Sequence, residues 1–579
     1  MKILTYKLQV LKQKHSEELQ KKDEELHNLQ NKLDQAKEND SKSKVKLEDE
    51  IKKISSKTDE ILKSNDQLKE KYDEVKGKYE EVKGKYEEVK MKYEKEVAKK
   101  GTQETQDTAE RIPFEGGKLI HLDLKGAAPK FKYLLEFAET CKKLGATGLL
   151  VEYEDMFPWS ADLEILARKD AYTTEQLKEF LKKASTLKLE VVPLVQTFGH
   201  LEFVLKHDKY KDLRARKDVS TSICPLDKRS VPLVKKMVDQ IIDSHPELKW
   251  IHLGGDEVWN IKECDECHGN YTDLQLFNRH MIPIMEHVKS KEDKKLTPII
   301  WDDMMRTWNV SDMKIMGKYV VPMVWGYVAD LSTYKSYPDG MWDRYLEAFP
   351  QIFFASSFKG ALKPWSNFVP IQQHLDNHLS WLKIFKRYKK AGKKVEGIAL
   401  TGWSRFDHFG PLCELLPAGV PSMALCLAIL DYGGFDGTVH WKASESLGFP
   451  RNMATNMKWF KYYTPENGTF ERHEIYTMVG ELEKASRWKE WAEVRLTGWA
   501  RPYNVKKKEF SFFQLNDARK GLVESLNGLT KVETKGRELL SEIFNKDTVD
   551  EWMEEKVEIL VKDVKEKLKV IDNHIKDHF

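Results

Sequence analysis

Two adjacent carboxylates, Asp256 and Glu257, follow an apolar run and a pair of glycines in the segment WIHLGGDEVW. A parallel strand that is buried on both faces reads as a continuous apolar run, and glycines admit a backbone or a ligand where a side chain would clash. Barrel enzymes carry their chemistry at the carboxyl ends of such strands. The pattern therefore predicts an acid pair at a strand end, suited to proton transfer and charge stabilisation. The alternative is a strand that leads into an acidic helix N-terminus.

Alternating strands and helices must position this pair. Several intervals between the short apolar runs show helical periodicity, for example residues 131–144, 174–187, 231–244 and 274–289. Eight alternations favour a closed (β/α)8 TIM barrel over an open doubly wound sheet, which would more often carry a glycine-rich turn after its first strand. The eight apolar runs are residues 118–124, 147–153, 189–195, 249–253, 297–301, 321–325, 352–355 and 396–401.

Tryptophans stand close to three of the predicted strand ends, namely Trp301, Trp325 and Trp403. A single strand tryptophan is more often part of the core, but three near one barrel mouth favour a site. Indole faces pack against the apolar faces of sugar rings, while carboxylates bind hydroxyl groups. The predicted mouth is therefore typical of a carbohydrate pocket.

The motifs from residue 118 to residue 417 resemble glycoside hydrolase family 20, the β-N-acetylhexosaminidases, and more narrowly the non-secreted hexosaminidase D branch of that family. The resemblance covers the whole predicted barrel and excludes the first 110 residues. Its most specific element is the Asp-Glu pair after Gly-Gly, supported by Gly199 and His200 on the preceding strand. The motifs are HLDLKG, EYEDMFPW, VVPLVQTFGHLEF, HLGGDEVW, IWDDMMR, VWGY and TGWSRFDHFGPLCELLP.

The resemblance implies a retaining exo-hydrolysis of terminal N-acetylgalactosamine or N-acetylglucosamine from glycoconjugates, without an enzymic nucleophile. Glu257 would protonate the glycosidic oxygen while the 2-acetamido oxygen of the substrate attacks the anomeric carbon. Asp256 would hold the acetamide N–H and stabilise the oxazolinium cation. We expect the neighbouring carboxylate to raise the pKa of Glu257, so that this acid keeps its proton near neutrality.

The resemblance also implies a substrate-binding set around the acid pair. Three members depart from the pattern of the secreted enzymes. Lys125 stands in for a sugar-binding Arg, Tyr327 for a Tyr that binds the acetamide oxygen, and Arg405 occupies the position of a sugar-binding Glu. The predicted set is Lys125, Glu154, His200, Trp301, Asp302, Trp325, Tyr327, Trp403 and Arg405.

The first 110 residues form a charged region of different character, with Tyr72, Tyr79, Tyr86 and Tyr93 seven residues apart. This heptad spacing is typical of a coiled coil, although lysines at the flanking positions and favourable pairs within one helix fit a solvated single helix equally well. The predicted domains are therefore a charged helix with a linker over residues 1–110, a catalytic barrel over 111–455, and a C-terminal helical region over 456–579. That last region would pack on the barrel or on a partner.

Composition limits the remaining function classes. The formal net charge of +3 gives no general attraction to nucleic acid or to acidic membranes. We expect a cytoplasmic or nuclear protein, because residues 1–10 do not resemble a secretory signal and no apolar run of about 20 residues occurs. We expect no cofactor, no metal centre and no disulfide framework; a homodimer through the charged helix is one option. The pair Cys264 and Cys267 cannot close a zinc site alone, and Cys224 or His268 could complete one only if the fold brought it close.

Two rival functions stay open from the residues. One is a metal-dependent barrel hydrolase that uses histidines and aspartates at the strand ends. The other is a scaffold whose helical N-terminus is the functional part and whose barrel is a relic. An intact acid pair with three tryptophans argues against a relic. The candidate metal ligands are His121, Asp123, His200, His252 and Asp256.

Overall fold

The structure is a computed structural model that describes residues 21–22, 28, 49, 51–59, 63 and 111–576, with gaps at 265, 270, 292–293, 458–459, 464–467 and 510. The chain divides into two compact units, residues 1–110 and residues 111–579. In the first unit, residues 51–59 are helical. The tyrosine heptads lie outside the described residues, so the coiled coil stays a prediction, as does the domain boundary at residue 455.

Eight parallel strands close into a barrel in the order β1-β10-β9-β8-β7-β6-β3-β2. The two remaining strands, β4 and β5, form an antiparallel hairpin after β3. The strands are β1 (Gly117–Asp123), β2 (Gly148–Glu152), β3 (Glu190–Leu194), β4 (Arg214–Arg216), β5 (Val219–Ile223), β6 (Trp250–His252), β7 (Thr297–Trp301), β8 (Val321–Trp325), β9 (Gln351–Lys359) and β10 (Lys394–Gly402).

Helices follow most barrel strands and cover the outside of the barrel. The helices of the barrel region are α1 (Phe131–Lys143), α2 (Thr174–Thr186), α3 (Glu202–Leu205), α4 (Ser230–Ser244), α5 (Asp273–Lys289), α6 (Val310–Met316), α7 (Met341–Ala348), α8 (Ile371–Lys390), α9 (Leu416–Tyr432) and α10 (Gly437–Ser446). The C-terminal helices are α11 (His473–Trp499), α12 (Pro502–Lys507), α13 (Phe512–Ser541), α14 (Lys546–Met553) and α15 (Ile559–Lys576).

The barrel interior is a packed apolar core. Each barrel strand contributes at least one side chain to this core, which explains why the strands read as apolar runs in the sequence. Trp301 belongs to the same cluster, and Trp325 and Trp403 pack against it. These indoles therefore lie between the core and the mouth of the barrel at the carboxyl ends of the strands. One contributor from each strand is Leu119, Leu150, Val192, Trp250, Ile299, Met323, Phe353 and Ala399.

The C-terminal helices pack on the barrel. The backbone N–H of Lys130 donates to the Ile543 carbonyl at 2.7 Å, and the Thr548 hydroxyl donates to the Gly126 carbonyl at 3.0 Å. Arg405, just after β10, forms an ion pair with Glu551 of α14. The sequence left open whether this region contacts the barrel or a partner, and these bonds attach it to the βα loops.

The predicted (β/α)8 barrel is confirmed, and each of the eight predicted runs contains or overlaps an observed strand. The hairpin of β4 and β5 was not predicted, because its strands are short and polar. Among the described residues, none of the helices combines the length and the apolar composition that crossing a bilayer requires.

Candidate active site

A cavity of about 400 Å³ opens at the carboxyl ends of the barrel strands. Its lining divides between two halves of the barrel wall. The adjacent strands β1, β2, β3 and β6 and the loops after them supply polar groups: Lys125, Glu152, Gln196, His200, Asp256 and Glu257. The strands β7, β8 and β10 and their loops supply aromatic groups: Trp301, Trp325, Tyr327, Tyr334, Trp403 and Phe406.

Three glycines shape the backbone around the acid pair. Gly254 and Gly255 adopt left-handed conformations, with φ of 63° and 84°, which turn the chain sharply after the short strand β6. Gly199 has a different role, because a Cβ there would lie 2.3 Å from the Asp256 carbonyl oxygen. The loop after β3 can therefore approach the loop after β6 only with glycine at position 199.

His200 joins the two carboxylates. Its Nε2 lies 3.5 Å from Asp256 Oδ2 and 3.3 Å from Glu257 Oε2. Both His200 and Glu257 have φ of +50°, a region that non-glycine residues rarely occupy. Such backbone strain persists where the surrounding structure fixes it and is concentrated at functional sites. The geometry therefore brings together the three residues predicted from the sequence.

The proton distribution in this group differs from the prediction. The hydrogen bond with His200 lowers the pKa of Glu257, whereas burial raises the pKa of Asp256 to about 7 against the opposing effect of His200. The side chain of Glu257 is 40% exposed and that of Asp256 is 11% exposed, which explains why desolvation acts mainly on Asp256. The expectation that the neighbouring carboxylate raises the pKa of Glu257 was therefore wrong for the free enzyme.

His200 is a cation in this arrangement. Burial disfavours its charged form, but the charge of Asp256 and the hydrogen bond with Glu257 raise its pKa to about 10. The imidazolium therefore balances negative charge in the acid pair at neutral pH.

Asp303 connects the acid pair to the aromatic half of the site. Its carboxylate accepts from the backbone N–H of Glu257 at 2.9 Å and from the Trp325 indole N–H at 3.0 Å. Asp302 lies behind it, fully buried, and accepts two bonds of 2.8 Å from the Arg306 guanidinium. Arg306 in turn stacks over the Trp325 ring at 4.5 Å. These residues fix the position of Glu257 relative to Trp325.

Lys125 lies at the centre of the polar half. Its Nζ is 3.2 Å from Asp123, 3.6 Å from Glu152 and 3.6 Å from Glu154. Burial opposes its charge, but these carboxylates raise the pKa of Lys125. Gln196 donates to Glu152 at 3.2 Å. The pocket thus presents an ammonium, a carboxylate and an amide, the groups that bind sugar hydroxyls.

Comparison with known proteins identifies the family. Residues 139–403 match the model of the catalytic domain of glycosyl hydrolase family 20. Hexosaminidase D from Homo sapiens is 36% identical over 461 residues, which cover 77% of this chain and 92% of the human protein. Hexosaminidase D from Bos taurus is 39% identical over 341 residues, which cover 57% of this chain and 96% of the bovine protein.

The chain belongs to glycosyl hydrolase family 20. The predicted family resemblance is confirmed, and the chain is a glycoside hydrolase. A solved structure, the β-N-acetylhexosaminidase from Bacteroides fragilis NCTC 9343, aligns with a TM-score of 0.42 at 15% identity, covering 55% of this chain and 67% of that one.

Three members of the predicted substrate-binding set do not line the cavity of this family 20 enzyme. Asp302 pairs with Arg306, and Glu154 lies 2.9 Å from His408 Nδ1 and 3.6 Å from Lys125 Nζ. Arg405 is committed to Glu551, so it belongs to the joint between the barrel and the C-terminal helices. The predicted substrate contact of Arg405 is therefore replaced by a structural ion pair.

Among the polar and aromatic lining residues, four were missing from the predicted set: Glu152, Gln196, Tyr334 and Phe406. Glu152 had a signal, since it is an acidic residue that ends an apolar run. Gln196 follows the next predicted strand and could have been included on the same ground. Tyr334 and Phe406 lie in loops, where no periodicity indicates the direction of a side chain.

The rival metal-dependent mechanism receives no support from the geometry. His121 lies 3.2 Å from Glu152, and His252 accepts from the Gly254 N–H at 3.0 Å. In the described part of the chain, only Cys224, Cys264 and Cys267 bring three candidate ligand atoms within 4.8 Å of one another. The histidines and aspartates at the strand ends do not converge in this way.

The close approach at Gly199 gives a testable prediction. Gly199→Ala should force the loop after β3 away from Asp256 and should lower kcat/KM on a nitrophenyl amino sugar by roughly 10²-fold, as expected for misplaced reacting groups. It should also cost about 1–3 kcal/mol in the free energy of unfolding. The control is Gly437→Ala, because an added Cβ there meets no atom within 4 Å. Full activity of Gly199→Ala would contradict the argument.

Proposed function

We propose that this family 20 enzyme is a retaining exo-β-N-acetylhexosaminidase that releases terminal N-acetylgalactosamine or N-acetylglucosamine by substrate-assisted catalysis. The observation that carries the proposal concerns Asp256. This buried residue lines the cavity, and among the described residues its Oδ1 has no hydrogen-bond partner. Because buried polar atoms are normally paired, an unpaired carboxylate oxygen beside a cavity fits a donor from the substrate.

In the proposed reaction the missing donor is the acetamide N–H of the sugar. The acetamide oxygen attacks the anomeric carbon, the bond to the leaving oxygen breaks, and Glu257 transfers its proton to that oxygen. Asp256 stabilises the positive oxazolinium that results. Glu257 then removes a proton from water, which opens the oxazolinium from the face that the leaving group occupied. Two displacements at one carbon retain its configuration.

The reaction requires the proton to lie on Glu257, whereas the free enzyme holds it on Asp256. Both forms carry one proton for the pair, so substrate needs only to redistribute it. An acetamide N–H that donates to Asp256 favours the anionic form of that group. An aglycone that covers Glu257 removes water from its exposed carboxyl and favours the protonated form. Substrate binding thus converts the resting pair into the reactive one.

The aromatic half supports an enclosed sugar subsite. The rings of Trp301 and Trp403 lie 6.1 Å apart with a 48° angle between their planes, and Trp325 and Tyr327 stack at 5.4 Å. Tyr327 lines the cavity beside Trp325, which supports its proposed contact with the acetamide oxygen. The packed barrel core, to which Trp301 belongs, closes the base of the pocket. A pocket closed at its base accepts a terminal sugar, and this supports exo action.

Two substitutions separate the roles of the acids. Glu257→Gln should lower kcat by roughly 10²–10⁴-fold on substrates with poor leaving groups and much less on dinitrophenyl glycosides, which need little protonation. Asp256→Asn should lower kcat by about 10²–10³-fold on all 2-acetamido substrates alike. Steady-state kinetics with nitrophenyl N-acetyl-β-galactosaminide and glucosaminide check both.

An Asp256→Asn variant with nearly unchanged kcat would refute substrate assistance. If the unmodified chain hydrolysed neither sugar, the result would favour the hypothesis of a scaffold protein.

The shared proton sets the expected pH dependence. The pair holds one proton between the lowered pKa of Glu257 and the pKa of about 7 of Asp256. As pH rises through about 7 this proton is lost, so kcat/KM should fall on the alkaline side, with the optimum below pH 7. The check is the pH profile of kcat/KM of the unmodified enzyme.

A control variant identifies the group whose titration lowers kcat/KM above pH 7. Burial also raises the pKa of Glu202 to about 7, and its carboxylate interacts with His200. The Glu202→Gln variant should still show the alkaline limb of the pH profile, which is the fall of kcat/KM above about pH 7. Loss of the limb in Glu202→Gln, or activity that persists up to the pKa of His200 near 10, would contradict the assignment to the acid pair.

A further inference from the structure

Three cysteines converge away from the sugar pocket. The Sγ atom of Cys224 lies 3.4 Å from that of Cys264 and 3.9 Å from that of Cys267. Cys224 follows the β4–β5 hairpin, and the other two belong to the loop that follows Asp256 and Glu257. Cys224 and Cys267 are buried, and Cys264 is half-buried. The sequence separation between Cys224 and Cys264 is 40 residues, so folding creates this cluster.

We propose that Cys224, Cys264 and Cys267 bind one zinc ion. Tetrahedral zinc with Zn–S bonds of about 2.3 Å holds its sulfur ligands about 3.8 Å apart. The Sγ–Sγ separations of 3.4 Å and 3.9 Å lie on either side of that value. All three sulfur atoms lie within 4.8 Å of one another, so a single ion can contact each of them.

A backbone N–H group is already directed at one of these sulfur atoms. The N–H of Cys267 donates to Cys264 Sγ at 3.2 Å. Burial raises the pKa of the Cys224 thiol, and hydrogen bonds from the backbone of Leu226 and Asp227 oppose that rise. Donors of this kind stabilise thiolates and orient them toward a metal. In the absence of a metal, burial would instead favour the protonated forms of the Cys224 and Cys267 thiols.

The site has a defined chemistry. Zinc replaces the three thiol protons, which leave to solvent, so binding should strengthen as pH rises. The fourth tetrahedral position is left to a water molecule or to His268, an exposed residue that follows Cys267 directly. No redox step is involved, because zinc does not change its oxidation state.

The position of the cluster indicates a structural role. The hairpin is bonded to the loop of His200, since the N–H of Leu201 donates to the Thr221 carbonyl at 2.9 Å. Asn260, three residues after Glu257, donates to the Thr221 hydroxyl at 3.1 Å. Zinc would add a strong bond between the end of the hairpin, at Cys224, and the loop after Glu257, at Cys264 and Cys267. It would therefore hold the loops of His200 and Glu257 together without contacting the sugar.

Metal analysis tests this inference, which does not depend on the proposed glycosidase reaction. The full chain, produced with zinc in the medium and purified under reducing conditions without chelators, should contain about one zinc per molecule. The double variant Cys264→Ser/Cys267→Ser should contain almost none, and its melting temperature should fall. The control Cys426→Ala removes a buried cysteine in α9 and should keep its zinc.

Cobalt provides a second readout that needs no variant to fold. The unmodified chain, stripped of metal and titrated with Co²⁺, should show sulfur-to-cobalt charge-transfer absorption and the visible bands of tetrahedral cobalt. Added zinc should remove both. A chain that purifies without zinc and takes up neither metal after reduction would overturn the inference, as would a Cys224–Cys264 disulfide that persists under those conditions.

Discussion

The contact between the loops after β3 and β6 is the constraint on which the active site depends. It places Gly199 directly against the Asp256 carbonyl and brings His200 within 3.5 Å of both acids. The close approach is accompanied by strained left-handed backbone conformations at His200 and Glu257. The strain is supported by the bonds around it, including the bond from the Glu257 N–H to Asp303. Without the contact the two acids would have no common counter-charge.

The contact also distributes charge within the acid pair. A cation held by both carboxylates would ordinarily favour two negative charges, but burial of Asp256 opposes its ionisation. The result is a pair with one proton near neutrality, carried by the more buried member. In the proposed reaction this is the proton that the leaving oxygen receives, after substrate contacts have moved it to Glu257. The energetic difference between the two acids follows from exposure more than from their mutual repulsion.

The sequence was sufficient to predict the barrel because each strand is buried on both faces and so reads as an apolar run. It also indicated the lining residues next to strand ends, such as His200, Trp301 and Trp403, since parallel strands end at the same mouth. It failed for Arg405, because its partner Glu551 lies 146 residues away and no local pattern encodes that pairing. It failed for the pKa of Glu257 as well, since relative burial of two neighbours depends on tertiary packing. The sequence named Cys224 as a residue that could join Cys264 and Cys267, but whether the three sulfur atoms meet depends on tertiary packing as well.

Substrate assistance is the central claim, and it depends on the acetamide oxygen as nucleophile. The most direct measurement is kcat/KM for nitrophenyl glycosides whose 2-acetamido group carries zero, one, two or three fluorine atoms. Fluorine withdraws electrons from the amide oxygen, so the account predicts a steep fall in kcat/KM with each added fluorine. A series with equal kcat/KM values would contradict it, because an enzymic nucleophile or a directly attacking water would not respond to that oxygen.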